Sequence, residues 1–390
     1  MRICFIGNAG HMNLLSWVKH WHGVLGNTIH VVSFSPPVEH IPGVEVHLLP
    51  YGGMKKLRYL LAVPRLTELL RSMDFDLLAA YRMNSYGFMA AATGFRPLVL
   101  VAQGSDIFHG SSSFAKKQLL KYVIGRADMI HCFADHMSRM LVQYGANPDS
   151  ILVLPKGIDT GVFRSRQAGR PDAGLQLVTT RQLRKTYRHE LILSAIPAML
   201  KVIPDLGYLV IGDGEYRAAL MEIARKLGIE KVVTFAGRLE HAVLASHLSA
   251  SHIYVSMQPS DGVSASLLEA MACGVFPIVV DNEANRLWIK DGENGFLVPA
   301  EDSSAFAKKV VLAFKDPALR EKARKINEAF VVENMSIGVN IRKAATCYSR
   351  LIGREKGRGG GTNRSGPGLG KCSAATSSVP GQGGYSDERT

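Results

Sequence analysis

Short apolar runs and amphipathic segments alternate along most of this chain. Residues 2–6 form an apolar run that ends at a glycine-containing turn, and residues 12–25 then show the spacing of a helix. This order of strand, tight loop and helix recurs, which predicts α/β domains with doubly wound parallel sheets. Further strands are predicted at residues 28–33, 44–48, 75–80, 97–102, 175–179, 206–211, 232–235, 252–256 and 275–280, and further helices at residues 83–93, 113–125, 134–144, 189–202, 215–227, 266–273, 304–314, 317–333 and 336–352.

Two changes in composition divide the chain. The segment 164–174 is polar and rich in arginine, glycine and proline, which predicts a linker. We therefore expect a first domain at residues 1–166 and a second at residues 172–335. Residues 353–390 cannot bury enough apolar area to offset the cost of ordering, and we expect them to form a disordered tail. The length of 390 residues agrees with two domains, because it exceeds what one core of usual size accommodates.

The bulk composition is that of a soluble globular protein, with 47% hydrophobic and 20% charged residues. No apolar run reaches the roughly 18 residues that span a bilayer, and the apolar start is too short for a signal peptide. The five cysteines are scattered and odd in number, so we expect neither disulfides nor structural zinc, and a reducing cytoplasm fits. The net charge of +13 favours an anionic partner: nucleic acid, an acidic membrane or a phosphorylated substrate.

The most informative stretch, residues 260–274, lies between two predicted strands. It opens with small or hydrogen-bonding residues, among them Asp261, Gly262 and Ser264, and continues as a helix. The first amides of a helix lack partners and its dipole is positive there, so this opening can bind an anion. Glu269 follows eight residues after Asp261, and the two carboxylates can hold two parts of one long ligand. A phosphate between two hydroxyl-bearing groups suits this pattern, and an ordinary α/β helix with a capped start is the alternative.

The same stretch resembles the donor-site signature of retaining glycosyltransferases of the family-4 type, which have the GT-B fold. That signature is an acidic residue, seven residues, then Glu-Ala-Met-Ala-x-Gly, and here it reads from Asp261 to Gly274, with Asp261 where Glu is usual. The segment 126–163 is also similar to the end of the family's first domain, which typically reads Pro-Asn-Gly-(Val/Ile)-Asp where this chain has Pro155-Lys156-Gly157-Ile158-Asp159. The resemblance covers about residues 1–350.

The resemblance implies an α/β GT-B architecture with two Rossmann-like domains facing a central cleft and a C-terminal helix, residues 336–352, that crosses back to the first domain. It implies transfer of a hexosyl group from a UDP- or GDP-sugar to a lipid-linked or glycan acceptor, with retention, in the synthesis of cell-envelope polysaccharide. A nucleotide-sugar epimerase on the same fold and a non-catalytic nucleotide-sugar-binding scaffold are the alternatives. Departures from the family pattern at Gln103, Tyr187 and Asp261 favour the scaffold, whereas the intact Glu269 argues against it.

The resemblance also assigns roles in the second domain. Asp261 and the amides of Gly262 and Val263 would hold the sugar ring, and Glu269 would accept hydrogen bonds from the ribose hydroxyls. The basic segment 181–188 offers cations for the diphosphate, with Arg181 as the first candidate. The predicted catalytic residues are Asp261, Glu269 and Arg181; the further donor-binding candidates are Ser264 at the helix opening, Lys185 and Arg188 as second cations, Gly212 in a Gly-x-Gly turn, and Arg238 and Leu239 beside the base.

Two loops of the first domain are candidates for the acceptor side. Gly10 and His11 follow the first strand, and Gln103 and Asp106 follow the strand at residues 97–102. Ligands of open α/β sheets bind at the carboxyl ends of the strands, which is where both loops lie.

We expect no metal, cofactor or nucleic acid. The 13 histidines show no ligand spacing, and no Asp-x-Asp element lies where a metal-dependent transferase would need one. The tail has only Tyr385 for base stacking, which argues against RNA binding. We therefore expect metal-independent transfer.

A basic amphipathic region at residues 55–71 predicts docking of the first domain on an anionic membrane. Its basic residues Lys55, Lys56, Arg58, Arg65 and Arg71, with Lys116, Lys117 and Lys121 of a second helix, stand beside the apolar residues Leu57, Tyr59, Leu60, Leu61 and Leu120. Helices with apolar faces packed inward and solvated charges are the alternative. The expected location is the cytoplasm, either free or peripheral on the inner face of the membrane.

Overall fold

The chain folds into two compact units in a computed structural model that describes residues 1–50, 57–108, 113–165, 174–259 and 264–357. The first unit comprises Met1–Lys156 together with the last helix, which begins at Ile337. The second unit is the continuous segment Gly157–Ser336. Most of the predicted linker and of the predicted tail lies outside the described residues.

A seven-stranded parallel sheet forms the centre of the first unit. Its strands are β1 (Arg2–Ile6), β2 (Thr28–Ser33), β3 (Val44–Leu48), β4 (Leu77–Tyr81), β5 (Leu98–Val101), β6 (Met129–Cys132) and β7 (Ile151–Val153). They lie in the order β3-β2-β1-β4-β5-β6-β7. The helices are α1 (Met12–Leu25), α2 (Arg58–Leu61), α3 (Val63–Arg71), α4 (Tyr86–Thr93), α5 (Ser105–Phe108), α6 (Phe114–Arg126) and α7 (Asp135–Gln143). The central strands are apolar runs because helices cover both faces of such a sheet.

The second unit repeats this plan around a six-stranded parallel sheet. Its strands are β8 (Leu175–Thr179), β9 (Leu206–Ile211), β10 (Val233–Gly237), β11 (Ile253–Ser256), β12 (Phe276–Val280) and β13 (Phe296–Val298). They lie in the order β10-β9-β8-β11-β12-β13. The helices are α8 (His189–Leu200), α9 (Arg217–Lys226), α10 (His241–Ala250), α11 (Ala265–Ala272), α12 (Glu283–Arg286), α13 (Ser303–Lys315) and α14 (Pro317–Phe330).

The last helix, α15 (Ile337–Gly357), completes the core of the first unit, as predicted. Its Tyr348 ring stacks on Trp21 of α1, with 5.0 Å between the ring centroids. The Tyr348 hydroxyl lies 3.1 Å from Nδ1 of the buried His131, whose Nε2 lies 2.8 Å from the carbonyl oxygen of Leu154. Because a carbonyl only accepts, Nε2 carries the proton and Nδ1 accepts from the tyrosine.

The structure adds detail to the predicted helical regions and differs from them in places. The described part of the basic region, residues 57–71, contains two helices, because Pro64 occupies the first turn of α3 and lacks the amide that would continue α2. Helix α10 was not expected, since its sequence mixes small, polar and apolar residues without a clear stripe. Helix α15 continues to Gly357 instead of ending at residue 352. No described helix has both the length and the apolar character needed to cross a membrane.

Candidate functional site

The candidate site lies at the carboxyl end of the second unit's sheet, where the strand order reverses. Strands β8 and β11 are neighbours, but β9 lies on one side of them and β12 on the other. Ligands of doubly wound folds bind in the crevice at such a switch point. The segment 180–188 follows β8 and the segment 257–259 follows β11, so both belong to this end of the sheet. We call the group formed by Arg181, Tyr187, Gln258 and Ser264 the switch-point cluster.

Arg181 is the centre of the switch-point cluster. Its Nη1 donates to Ser264 Oγ at 3.1 Å, and its Nη2 donates to Gln258 Oε1. Its guanidinium carbon lies 4.8 Å from the centroid of the Tyr187 ring. These contacts fix a guanidinium whose residue is only 9% exposed. Because Arg cannot lose its proton in a protein, the cluster carries a fixed positive charge.

Ser264 connects this charge to the start of helix α11. It is the residue before the helix, and its hydroxyl oxygen accepts a hydrogen bond from the Leu267 amide at 3.3 Å. The same oxygen accepts from Arg181. The guanidinium and the positive end of the helix dipole therefore act at one place, which favours an anion there.

The loop Gly212-Asp213-Gly214 supports the segment that carries Arg181. Gly212 has φ of +147°, and a Cβ there would lie 2.5 Å from the Arg181 carbonyl oxygen. A Cβ at Gly214 would collide with the Leu183 carbonyl oxygen. The Leu183 amide donates to the Asp213 carbonyl at 3.1 Å. Both glycines are required because two backbones approach each other closely at this point.

A cavity of about 490 Å³ lies between this glycine loop and the end of β10. Three of the predicted donor-binding residues, Gly212, Arg238 and Leu239, line it together. Its other lining residues are Thr180, Gln182, Arg184, Ile211, Asp213, Gly214, Glu215, His241 and Leu244. A lining that combines polar residues with Ile211, Leu239 and Leu244 suits a ligand with an apolar part and several hydrogen-bonding groups.

The two candidate second cations, Lys185 and Arg188, line a neighbouring cavity of about 560 Å³ with Thr186, Gln258 and Pro259. Arg188 Nη2 donates to Glu301 at 2.7 Å, and its Nη1 lies 3.9 Å from Glu190. Lys185 is exposed and forms no ion pair within the part of the chain that the structure describes. Lys185 is therefore more available to an anionic ligand than Arg188.

His189 holds the adjoining backbone in place. This buried residue begins helix α8, and its Nε2 donates to the Gln182 carbonyl at 3.0 Å. Burial lowers the pKa of His189, and the nearby Arg181 guanidinium lowers it further, although the bond to Gln182 opposes this. The imidazole is therefore neutral at physiological pH.

Glu269 lies on α11, five residues after Ser264, and is half-buried. It is not among the described residues that line either cavity. Asp261, Gly262 and Val263 lie outside the described residues.

The candidate acceptor residues lie at the carboxyl ends of β1 and β5 in the first unit's sheet. The Gly10 amide donates to Asn8 Oδ1 at 3.0 Å, and the following residue, His11, is exposed. Asp106 is buried and accepts hydrogen bonds from the amides of Gln103 at 2.9 Å and Met83 at 2.8 Å.

Asp106 is therefore a residue that fixes two loops to each other. Burial raises the pKa of its carboxyl group, although the two amide hydrogen bonds oppose this. Gln103 is half-buried beside it.

The basic helices α2, α3 and α6 of the first unit all contact α4. Leu60 and Leu61 on α2 are 54% and 66% exposed, and Phe114 at the start of α6 is 76% exposed. Lys117 and Lys121 on α6 are also exposed. Exposed apolar side chains next to lysines are typical of a surface that meets lipid or a partner.

Two residues of the predicted membrane face, Leu120 and Arg58, pack against other parts of the first unit. Leu120 is 2% exposed and belongs to the interior, where α6 packs against α4. Arg58 packs over the Tyr59 ring, with its guanidinium carbon 4.7 Å from the centroid. Lys55 and Lys56 lie outside the described residues.

Sequence reasoning missed Gln258 and His241 and treated Tyr187 only as a departure from a pattern. Gln258 follows β11, and His241 begins a helix after β10. Both residues lie just beyond the carboxyl end of a strand. Because ligands of such sheets bind there, this position alone could have identified them as candidates. Tyr187 supports the Arg181 guanidinium with its ring, which no spacing rule indicates.

Two Rossmann-like units with parallel sheets and helices on both faces define the GT-B class of glycosyltransferase folds. Residues 163–330 match the family described as glycosyl transferases group 1, and residues 2–133 match the family described as glycosyl transferase 4-like. These two matches confirm the resemblance to the family-4 (group 1) type of glycosyltransferase over most of the two units.

Individual relatives agree with this family. The phosphatidyl-myo-inositol mannosyltransferase of Mycobacterium leprae is 25% identical over 285 residues, which cover 70% of this chain and 74% of that protein. The GtfA subunit of the UDP-N-acetylglucosamine–peptide N-acetylglucosaminyltransferase of Streptococcus pneumoniae is 25% identical over 51% of this chain and 41% of its own length. The chain thus spans less than half of GtfA, and it spans 44% of EpsD of Bacillus subtilis.

Among solved structures, HepE of Anabaena in complex with UDP and glucose has a TM-score of 0.73 and 17% identity, covering 90% of this chain and all of that one. Sucrose-phosphate synthase of Thermosynechococcus elongatus also has a TM-score of 0.73, with 16% identity over 91% of this chain and all of that one. Both show the GT-B fold for this chain.

Proposed function

We propose that this glycosyltransferase moves a hexosyl group from a UDP- or GDP-sugar to a lipid-linked or glycan acceptor, with retention of configuration and without a metal ion. The observation that carries the proposal is the contact of Arg181 with Ser264. It places a fixed cation at the N-terminus of α11, at the switch point of the donor unit. An anionic leaving group is the ligand that such a site favours.

The donor would occupy two neighbouring regions of the second unit. The base would lie in the 490 Å³ cavity against Arg238 and Leu239, and the diphosphate would lie beside Arg181 at the start of α11. Lys185 would supply a second positive charge from the adjoining cavity. The complexes of HepE with UDP and with UDP-glucose support a nucleotide-sugar donor.

The chemistry needs charge stabilisation more than proton transfer on this side of the reaction. As the bond between the sugar and the diphosphate breaks, negative charge builds on the diphosphate oxygen that leaves. A guanidinium already fixed by Gln258 and Tyr187 can meet that charge without reorganising, which lowers the barrier. Asp261 and Glu269 would hold the sugar ring and the ribose, as the family resemblance implies. Retention of configuration rests on the same resemblance.

Acceptor-dependent release of the nucleotide tests this function. The full-length protein is incubated with a panel of UDP- and GDP-sugars, with and without membrane extract, and the nucleotide diphosphate and sugar products are measured. We expect release with one donor to depend on the extract. Release of an isomeric nucleotide sugar without acceptor would mean an epimerase. Binding of a donor without turnover under any condition would mean a scaffold.

We also propose that the helices α2, α3 and α6, which all contact α4, meet an anionic membrane and bring a lipid-linked acceptor to the first unit. Leu60, Leu61 and Phe114 would enter the headgroup region, and nearby lysines would be attracted by roughly 1 kcal/mol each. The mannosyltransferase relative, whose name includes a phosphatidyl lipid, supports a lipid-linked acceptor.

Co-sedimentation with liposomes tests this surface. We expect binding to vesicles with anionic lipid that fades with added salt and falls when Lys116, Lys117 and Lys121 are changed to Glu. A matched control changes Lys308, Lys315 and Lys322 of the second unit, which are also exposed, to Glu. Equal binding to neutral and anionic vesicles, or an equal loss in both triple variants, would contradict the proposal and favour a soluble acceptor.

A further inference from the structure

Three side chains that can bind a metal meet at the edge of the first unit's sheet. β3 is the edge strand, and it pairs in parallel with β2 so that His30 lies opposite Glu45 and Val32 lies opposite His47. The neighbouring positions Ile29, Val31 and Val44 belong to the main core of the first unit. Because side chains alternate between the faces of a strand, His30, Glu45 and His47 share the other face.

The three side chains converge on one point. His30 Nδ1 lies 3.2 Å from Glu45 Oε2, His47 Nε2 lies 3.4 Å from His30 Nδ1, and His47 Nε2 lies 3.7 Å from Glu45 Oε2. Ligand atoms of a tetrahedral zinc ion are about 3.3 Å apart, given Zn–N and Zn–O bonds of about 2.0–2.1 Å. The observed triangle therefore needs adjustments of only a few tenths of an ångström to receive the ion.

Hydrogen bonding alone satisfies this group poorly. Each neutral imidazole has one N–H and one lone pair, and two of the three atoms that converge are ring nitrogens. If both of these nitrogens carry a proton, neither can accept from the other, and if only one does, the other cannot donate to Glu45. Hydrogen bonds can therefore satisfy at most two of the three short contacts. A divalent cation accepts both nitrogen lone pairs and the carboxylate oxygen at once. The side chain of His30 is only 13% exposed and that of His47 27%, whereas that of Glu45 is 70% exposed and leaves a path for the ion.

We propose that His30, Glu45 and His47 bind a Zn²⁺ ion that joins the edge strand β3 to β2. Two imidazoles and one carboxylate are a common zinc ligand set, and imidazole ligands favour Zn²⁺ over Mg²⁺ and Ca²⁺, which prefer oxygen. The ion would keep one position open to water on the side of Glu45. The site is independent of the transferase chemistry, since none of these residues belongs to the switch-point cluster.

This proposal departs from the expectation of no metal site, which rested on histidine spacing along the chain. His30 and His47 are 17 residues apart on different strands, so only the pairing of β2 with β3 brings them together.

Zinc titration of the untagged full-length protein, stripped with a chelator, tests the site. We expect one equivalent of Zn²⁺ to bind, measured by competition with a chromophoric chelator, and the dissociation constant to rise at least about 10-fold in His30→Gln and His47→Gln. His40→Gln is the matched control, because His40 is an exposed histidine of the same unit, and its affinity should equal that of the wild type. Glu45→Gln gives a further test if either histidine variant fails to fold.

Substitution of Co²⁺ for Zn²⁺ identifies the ligands in the same samples. We expect the visible spectrum of a four-coordinate site with nitrogen and oxygen ligands. Thiolate-to-metal charge-transfer bands would place the ion at cysteines and overturn the proposal. It is equally overturned by the absence of one-to-one binding, or by unchanged affinity in His30→Gln, His47→Gln and Glu45→Gln.

Discussion

Replacing Arg181 with Met tests the proposed donor site most directly. Methionine keeps an unbranched side chain but removes the charge, both hydrogen bonds and the stack on Tyr187. In the free enzyme these losses are partly offset, because the buried guanidinium no longer has to be desolvated. We therefore expect a change of only about 0–2 kcal/mol in the free energy of unfolding.

The larger effect should appear in catalysis. Removing one fixed donor that faces a developing negative charge costs about 2.7–4 kcal/mol of transition-state stabilisation, which is about 100- to 1000-fold in kcat. Arg181→Lys keeps the charge but loses the planar fork that reaches Ser264 and Gln258 together, so we expect an intermediate loss of about 10-fold.

The assay is the initial rate of nucleotide diphosphate release with saturating acceptor, together with calorimetric binding of the bare nucleotide diphosphate. Arg225→Met is the matched control, because Arg225 is an exposed arginine on α9 that pairs only with nearby Glu222 among its described contacts. Thermal unfolding of each variant separates loss of fold from loss of function. If Arg181→Met keeps kcat/KM within about 3-fold of the wild type, the diphosphate does not bind at Arg181.

Three further predictions concern Glu269, Asp261 and His131. Glu269→Ala should weaken donor binding by about 2–4 kcal/mol with the fold intact, and calorimetry showing near-native affinity would contradict the ribose assignment. Asp261→Asn should reduce turnover with little change in affinity for the bare nucleotide, and Asp261→Glu should be tolerated. An equal loss of nucleotide affinity in both variants would instead place Asp261 at the phosphates. Burial lowers the pKa of His131 to about 4 from its ordinary 6.5, so its contribution to stability is present above pH 6.5 and is lost as the pH falls towards 4. The total is about 3 kcal/mol, and chemical unfolding of His131→Asn at several pH values should show a flatter dependence than the wild type.

Much of the fold was accessible from the sequence because buried parallel strands are nearly continuous apolar runs. β8 and β9 were predicted with the bounds that the structure has, since each run is short and ends at a turn. Helix α10 was missed because it does not show a clear apolar stripe. The local sequence pattern therefore predicts a strand or helix only where the element is buried completely or buries one distinct face.

The candidate site was accessible only in part. Arg181 stands in a basic segment that a sequence can reveal, but its partner Gln258 is 77 residues away and becomes adjacent only when β8 and β11 pair. The ion pair of Arg188 with Glu301 joins residues 113 positions apart, so the sequence did not indicate that this cation is already engaged. Contacts of this kind depend on topology, which single-residue patterns do not contain.

The position of helix α15 has a consequence for how the chain is made. A ribosome releases Met1–Lys156 first, but the helix that covers Trp17 and Trp21 is the last described element to emerge. The second unit is continuous, so it can fold while the first still lacks Tyr348 and the rest of its apolar cover. The first unit is therefore synthesised first but completes its folding last. In the interval a chaperone would shield the apolar surface around Trp17 and Trp21.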